Sequence, residues 1–249
     1  MKTSERSTHC PTLLVAAAAL ALTVVIGKPL PVFADQDGDI VVPAVPFNLR
    51  VPVGNRVYLE GHAGGTQNYI CMPCPNAITT AAKCPASGFA WAFVGPQATL
   101  FDVEDGDDEQ IITHFNSPNP EEDGKERPTW QSSDDTSSVW GDSTPPALQS
   151  STDAKFVAVD AIPWLLLPKA GTQVGPTGGD TLTKTTFIQR LNTAGGIAPP
   201  ADTCATAADA GEKALVPLQR RLFLLQAGRV ASTSDRRRES EIGALKDVV

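Results

Sequence analysis

The chain has 249 residues, of which 41% are hydrophobic and 19% charged, a balance that fits a folded domain with terminal extensions and excludes a disordered chain. Its formal net charge of -8 excludes a protein held on nucleic acid by nonspecific phosphate contacts, which need a basic surface. The 21 proline and 20 glycine residues disfavour a helical bundle, because both residue types interrupt helices.

Residues 1–34 have the pattern of a secretion signal peptide. Lys2 and Arg6 give a positive start, Leu13–Ile26 is an uncharged apolar run, and Val32–Ala34 places small residues where signal peptidase reads them. The apolar run is short for a bilayer span, which takes about 20 residues, and the alternative is an uncleaved anchor. The sequence therefore predicts a secreted or periplasmic protein without membrane contact after cleavage.

Four cysteines remain once the signal is removed, and an even number in an oxidising compartment predicts two disulfides. Three pairings are open, and we favour Cys74–Cys84 as a local loop with Cys71–Cys204 as the long-range bridge. Cys71 and Cys74 also have the Cys-x-Pro-Cys spacing of a redox pair. Because the motif follows a strand and Pro75 comes directly after it, a structural disulfide is the favoured interpretation.

The segment 35–217 alternates short apolar stretches with glycine and proline, which predicts strands separated by turns. The candidate strands are 56–60, 67–71, 89–94, 98–101, 111–115, 129–131, 138–140, 162–167 and 185–191. The apolar run Ile162–Leu167 is predicted to be a central strand with Trp164 buried, and one short helix is predicted over Ala205–Ala214. The predicted fold class is all-β: a sandwich or barrel of short, mostly antiparallel strands with one short C-terminal helix.

Two histidines remain after signal removal, His62 and His114. With a carboxylate from Asp134, Asp135 or Glu60 they are candidates for a metal site or an acid–base pair, because imidazole exchanges protons near neutral pH. His62, His114 and Asp135 form the candidate catalytic set for a hydrolase-like enzyme. The alternative is that both histidines are strand residues with satisfied hydrogen bonds. The zinc-peptidase pattern His-Glu-x-x-His and the serine-hydrolase pattern Gly-x-Ser-x-Gly are absent from the sequence. The acidic stretch Asp102–Glu109 is interpreted as a solvated hairpin tip rather than a calcium loop, so no metal or other cofactor is predicted.

Two of the four tryptophans are candidates for a ligand surface. Trp130 and Trp140 flank a polar loop, Ser132–Ser138, and loops on a β scaffold often carry binding residues. Gln67 is assigned to the same candidate ligand-binding set. The partner expected for such a surface is an extracellular glycan or protein, and nucleic acid is not expected.

Five motifs stand in a fixed order along the chain: Gly61–Cys71, Gly95–Phe101, Arg127–Gln131, Ile162–Leu167 and Phe187–Gly196. The series resembles the secreted family known as domain of unknown function 3455, over roughly Val41 to Pro217. The resemblance implies an extracytoplasmic β-rich domain and no activity, since none is established for the family. Some members carry a malate dehydrogenase label. Nothing in this sequence supports a nicotinamide-dependent dehydrogenase, because no Gly-x-Gly-x-x-Gly follows a strand and no βαβ alternation occurs.

The chain departs from the family pattern after Pro217. The resemblance implies an aromatic terminal strand, Tyr-x-Ala-Asp-Tyr-Phe-Phe-Tyr, whereas this chain continues with Leu218–Gln226. Deleting one nucleotide from one back-translation of that stretch yields Tyr-Asn-Ala-Asp-Tyr-Phe-Phe-Tyr. We therefore infer that 218–249 is translated out of frame and predict that this tail is disordered, without a well-packed element. Leu222–Leu225 is the exception, being apolar enough to dock where the missing strand would lie.

Two hypotheses for function follow. The first is a secreted, non-enzymatic binding or cell-surface module that uses Trp130, Trp140 and their loop. The second is a hydrolase-like enzyme that uses His62, His114 and Asp135. Whether the two imidazoles and the carboxylate converge in space distinguishes the hypotheses.

Overall fold

A computed structural model describes residues 40–74, 85–102 and 109–228 of the chain. These residues form nine strands. The strands are β1 (Asn55–Pro73), β2 (Phe89–Asp102), β3 (Glu109–Asn119), β4 (Lys125–Ser132), β5 (Ser138–Gly141), β6 (Gln149–Ser151), β7 (Trp164–Gln173), β8 (Thr185–Gly195) and β9 (Lys213–Ala227). Short 3-10 turns occupy Phe47–Leu49, Pro120–Glu122 and Ala201–Thr203.

The strands form an eight-stranded antiparallel barrel, which confirms the all-β prediction. The order around the barrel is β5-β4-β3-β2-β1-β9-β8-β7, and pairing of β5 with β7 closes it. Strand β6 pairs with the first residues of β7. Strand β1 lies between β2 and β9, and its pairing with β9 runs from Asn55 opposite Ala227 to Ile70 opposite Lys213.

An apolar core fills one part of the barrel interior, because alternate side chains of each strand point inward. The buried members of this core are Ala63, Leu100, Ile112, Trp130, Val139, Leu167, Leu182, Ile188, Leu222 and Leu224. Leu182, in the β7–β8 loop, has no exposed surface. Its backbone N–H donates to the hydroxyl of Ser137 in the β4–β5 turn, which brings the two connections together over the core.

A second apolar layer covers the outside of the barrel. Leu49, from the N-terminal segment, packs with Trp164 of β7 and Phe223 of β9. The side-chain amide of Gln189 donates to the Leu49 carbonyl oxygen at 2.7 Å. Trp164 is 4% exposed, as predicted, and β7 has a neighbouring strand on both sides at that point. The predicted central strand is therefore confirmed, although it begins at Trp164 rather than at Ile162.

The predicted helix over Ala205–Ala214 is wrong. The segment is a series of turns that follows the 3-10 turn Ala201–Thr203. One carboxylate oxygen of Asp209 accepts the backbone N–H groups of Ala205 and Thr206, which then cannot enter a helical ladder. None of the helical segments in the described part of the chain is long and apolar enough to cross a bilayer.

The prediction of an unpacked tail is wrong for the residues from Leu218 to Ala227. They continue β9, and Leu222–Leu225 is a buried stretch in the middle of the sheet. The reason is that Leu222 and Leu224 point into the barrel while Phe223 packs under the outer apolar layer. The burial of Leu222–Leu225 in the sheet confirms the predicted exception, which was that this apolar stretch of the tail docks on the domain. Residues 1–39 and 229–249 lie outside the described residues, so the signal peptide and the distal tail stay predictions.

One predicted disulfide is confirmed, since Cys71 of β1 is bonded to Cys204 with their Cα atoms 5.6 Å apart. Cys74 is also disulfide-bonded. Cys84 lies outside the described residues, so its pairing with Cys74 stays a prediction.

Candidate ligand-binding site

The three candidate catalytic residues do not converge. The side chain of His62 lies on the outer surface of β1, where its Nε2 atom is 2.8 Å from Oε1 of Glu60. The same oxygen accepts a hydrogen bond from Arg221 of β9. His114 is only 4% exposed and faces the barrel interior, and Asp135 lies in the β4–β5 turn. No acid–base pair or triad is formed by these residues.

Asp135 holds two loops together. Its carboxylate accepts hydrogen bonds from the backbone N–H of Ser137 at 3.0 Å, the hydroxyl of Ser137 at 2.7 Å and the backbone N–H of Thr181 at 3.0 Å. Burial opposes ionisation, yet these donors hold the pKa of Asp135 well below its usual range. A Cβ at Gly179 would lie 2.2 Å from the Asp135 Cβ, so this contact requires glycine. Asp135 thus has a structural role at the apolar end of the barrel.

The two candidate ligand-binding tryptophans are buried, which corrects the expectation that they form an exposed surface. Trp130 is 2% exposed and points into the barrel, and its indole N–H has no hydrogen-bond partner in the described part of the chain. Trp140 is 4% exposed on the opposite face of the sheet, where its indole N–H donates to Ser117 Oγ at 3.0 Å. A polar loop beside them led to the wrong expectation, because β5 is covered by neighbouring residues on both faces.

His114 and Trp130 stack inside the barrel, with ring centroids 4.3 Å apart and ring planes 17° apart. The two residues are direct partners across β3 and β4. The Nδ1–H of His114 donates to the Thr129 carbonyl oxygen at 2.8 Å. Burial lowers the pKa of His114 well below its ordinary value, and the charge of Arg220 lowers it further. His114 is therefore a neutral, fixed ring in the interior, with Nε2 as its unprotonated nitrogen.

Two arginines share this part of the interior. Arg220 of β9 is 3% exposed, and its Nε, Nη1 and Nη2 atoms have no hydrogen-bond partner among the described residues. Arg190 of β8 donates from Nη2 to the Pro163 carbonyl oxygen at 2.8 Å, while its Nε has no partner in the same described ranges. Burial lowers the pKa of Arg220 to about 10. Burial and the charge of Arg220 together lower the pKa of Arg190 to about 9. Both guanidinium groups remain positively charged at neutral pH.

The register of β9 explains why Arg220 lies inside. Arg220 is two and four residues away from Leu222 and Leu224, which belong to the interior core, so its side chain points to the same side of the sheet. Its partner on β1 is Ala63. The inner face of β1 is made of small residues at this level. They leave space inside the barrel for the long side chain of Arg220. Gly65 is one of them, and a Cβ there would lie 2.2 Å from the Gln97 carbonyl oxygen.

Gln67 and Tyr69 continue the inner face of β1 beyond the arginines. The side-chain oxygen of Gln67 is buried and without a hydrogen-bond partner in the described part of the chain. The hydroxyl of Tyr69 donates to the Gly196 carbonyl oxygen at 2.7 Å. Burial raises the pKa of Tyr69, and the nearby charge of Arg190 opposes that shift. Gln67, the third residue assigned to ligand binding from the sequence, therefore lies at the arginine end of the interior.

Sequence reasoning missed both arginines, although one signal was present. Arg190 alternates with Ile188 within a strand, and Arg220 alternates with Leu222, so each arginine lies on the face that the apolar residues mark as inward. A groove of about 380 Å³ crosses β1, β2 and β3, and Gly64, Thr99 and His114 are among the residues that line it. In residues 40–74, 85–102 and 109–228, no group of three His, Cys, Asp or Glu side chains comes together as a metal site.

Comparisons with known proteins give one match. Neither the curated proteins nor the solved structures contain a match to this chain. Residues 52–217 match the family described as "Protein of unknown function (DUF3455)", and the match ends at the point where the sequence departs from the family pattern. The arginine at position 190, Gln67 and His114 lie within the matched residues, whereas Arg220 lies just beyond them. Because the match covers well over half of the chain, the protein belongs to this family of unknown function.

Proposed function

We propose that this protein is a non-enzymatic binding domain that acts outside the cytoplasm and holds an anionic group inside its barrel, between Arg190 and Arg220. The observation that carries the proposal is the burial of Arg220 with three unpartnered nitrogen atoms, on the same face as a second arginine, Arg190, which is partly buried and has an unpartnered Nε. No carboxylate among the described residues forms an ion pair with either arginine.

Burial of an unpaired cation costs several kcal/mol, and a second cation nearby adds to that cost. A carboxylate, sulfate or phosphate between the two guanidinium groups offsets both terms, because the planar N–H fork of arginine matches two oxygen atoms of such a group. The unpartnered atom of Gln67 is its amide oxygen, an acceptor, so the donors that an anion meets in the interior are the two guanidinium groups and the indole N–H of Trp130. This part of the interior is thus complementary to an anion.

The dispersed positions of His62, His114 and Asp135 favour binding over hydrolysis. An acid–base mechanism needs its groups within hydrogen-bonding reach of one substrate, and these three lie on an outer surface, in the interior and in a turn. The extracellular location rests on the predicted signal peptide together with the Cys71–Cys204 disulfide. An extracellular glycan or protein partner remains a prediction from the sequence.

Thermal unfolding in sulfate and in chloride at matched ionic strength tests the proposal. We expect sulfate to stabilise the protein by about 2.7 kcal/mol at a concentration 100 times its dissociation constant. Arg190→Met and Arg220→Met should each abolish this stabilisation. Arg221→Met is the matched control, because Arg221 is the next residue of β9 but pairs with Glu60 on the outer face. Equal stabilisation of all four proteins by sulfate, or of none, contradicts the proposal.

A further inference from the structure

A hydrogen-bond acceptor without a partner is buried on the inner face of β1. It is Oε1 of Gln67, a residue that is 9% exposed, and no group in residues 40–74, 85–102 and 109–228 donates to it. The unpartnered atoms of Arg190, Arg220 and Trp130 on the same inner face are all donors. A ligand that satisfies donors and acceptor together therefore carries a hydrogen-bond donor of its own as well as a negative charge.

The strand register connects Gln67 to Arg220. The inward positions of β1 follow one another as Ala63, Gly65 and Gln67, and Ala63 is the partner of Arg220 on β9. Gly65 has no side chain, so β1 places nothing between the arginine and the glutamine. The four residues from Ala63 to Gln67 cover about 13 Å of strand, a distance that the two side chains and a ligand of sugar size span together.

The register also sets Arg190 beside Arg220. Arg190 of β8 lies directly opposite Leu222 of β9, and Arg220 is the next inward residue of that strand. Diagonal neighbours on one face of an antiparallel pair are within reach of each other when their side chains are long. Two guanidinium groups in this arrangement suit a carboxylate, which has two oxygen atoms to accept their hydrogen bonds.

The pairing of β2 with β3 ends next to Gln67. The two strands pair no further than Ala98 opposite His114, although both continue beyond that pair. Pro96 of β2, two residues further, has no N–H to donate to a ladder. Pro96 is also the partner of Gln67 on β1. The wall of the barrel therefore has a side opening, between β2 and β3 beyond the Ala98–His114 pair, close to the unpartnered acceptor.

The groove of about 380 Å³ lies at this side opening. Gln97, Thr99 and Thr113 line it and offer neutral amide and hydroxyl groups. Gly65 and His114, which occupy inward positions, line it as well. The groove thus connects a polar, uncharged outer surface with inner-face positions between Gln67 and Arg220.

We infer that the ligand is a sugar acid, whose carboxylate lies between Arg190 and Arg220 and whose hydroxylated body donates a hydrogen bond to Oε1 of Gln67 and extends to the side opening. This inference rests on the proposed function, since it names the ligand class of the same site. The donor is a hydroxyl rather than an ammonium group, because an ammonium group would add a third positive charge beside two guanidinium groups.

The test is calorimetric titration with galacturonate and with cyclohexanecarboxylate, which share a six-membered ring and one carboxylate but differ in their hydroxyl groups. We expect galacturonate to bind about tenfold more tightly, because it satisfies a buried acceptor that the other anion leaves unpaired. Galactose has the hydroxyl groups without the charge and should not bind detectably. Trigalacturonate distinguishes the source: tighter binding than galacturonate identifies the end of an acidic glycan, equal or weaker binding identifies a free sugar acid, and both results support the inference.

Two variants separate the glutamine from the arginines. Gln67→Leu should remove the preference for galacturonate over cyclohexanecarboxylate while leaving stabilisation by sulfate unchanged. Gln219→Leu is the matched control, because Gln219 is an exposed glutamine of β9 next to Arg220. Arg190→Met should abolish binding of galacturonate and stabilisation by sulfate together.

Each contrary outcome has a distinct meaning. Equal binding of galacturonate and cyclohexanecarboxylate, with the sulfate response retained, overturns the sugar acid and leaves the anion site in place. A preference for galacturonate that survives in Gln67→Leu also overturns the inference, because the hydroxyl contact then lies elsewhere. Galactose binding as tight as that of galacturonate contradicts the need for a carboxylate. Failure of every anion, sulfate included, overturns the proposed function itself.

Discussion

The two ends of the barrel interior are built from the same strands but have opposite chemistry. On β8 the inward residue Ile188 belongs to the apolar core, and two residues further Arg190 is a partly buried cation. On β9 the inward residues change in the same way, from Leu224 and Leu222 to Arg220. One end is thus optimised for packing, and the other retains polar groups without partners. The contrast indicates that variants at the apolar end should change stability alone, whereas variants at the arginine end should change the response to anions.

The largest effect is expected at the apolar end. Leu182→Ala should reduce the free energy of unfolding by about 3 kcal/mol, because it removes a completely buried side chain and leaves a cavity. The stabilisation produced by sulfate should not change. Urea unfolding with and without sulfate measures both quantities, and Val174→Ala, an exposed position in the same loop, is the control. A lost sulfate response in Leu182→Ala would mean that the two ends are coupled.

Arg220→Ala tests the arginine end of the barrel. It also tests whether β9 beyond Pro217 is translated in the correct reading frame. Without sulfate, this variant should be more stable than the parent protein by up to about 2 kcal/mol, since removal of an unpaired buried charge outweighs the cavity that alanine leaves. Saturating sulfate should reverse or cancel that difference, because only the parent protein gains from the anion. Thermal unfolding in both buffers measures the reversal.

A different result for Arg220→Ala supports the frameshift hypothesis. Alanine is the residue that the shifted reading frame places at position 220. If the variant is more stable than the parent protein by the same amount in every anion, Arg220 destabilises the fold and does not bind a ligand. A genomic read across the codons for Pro217 and Leu218 then decides whether the frame is interrupted.

A smaller effect is expected from pH. The folded-state pKa of His114 is depressed by burial, so His114 stays neutral in the folded protein while the unfolded chain takes up a proton below its ordinary pKa of about 6.5. Stability should therefore fall as pH decreases from 7 to 5, by up to about 1.4 kcal/mol per pH unit for this one group. His114→Gln should flatten that slope in urea unfolding, and His62→Gln on the outer surface is the control. If the slope is unchanged in His114→Gln, His114 is not the group that makes stability depend on pH in this range.

Much of the fold could be predicted because strand alternation is a local property. The segments around Val57, Thr99, Ile112 and Ile188 all lie in strands of the barrel. The composition of Ala205–Ala214 predicts a helix. Composition does not show that the carboxylate of Asp209 accepts the backbone N–H groups of Ala205 and Thr206, which prevents a helix there.

The site was harder to predict, because alternation with apolar residues is only a weak local signal for a buried charge. Arginine in a strand is usually interpreted as solvent-facing, and only the three-dimensional register shows that Arg190 and Arg220 share an interior with His114. Trp130 and Trp140 were misjudged for the opposite reason, since a nearby polar loop gave the impression of an exposed surface. The tail is misjudged because its positive charge and the Arg236–Arg238 run with Ser/Thr neighbours favour disorder. These features lie beyond Leu222 and Leu224, which keep the inward alternation.

The central pairing of β1 with β9 has a consequence for biosynthesis. The register sets Asn55 opposite Ala227, so the barrel closes only after a ribosome has made nearly all of the described chain. Until then β1 and β8 each present an unpaired edge, which is a template for association with other chains. Contacts between residues so distant in sequence also fold slowly. Delivery of the newly made chain across a membrane before β9 is available would keep it unfolded without a dedicated inhibitor, and folding would be timed by the arrival of its last strand.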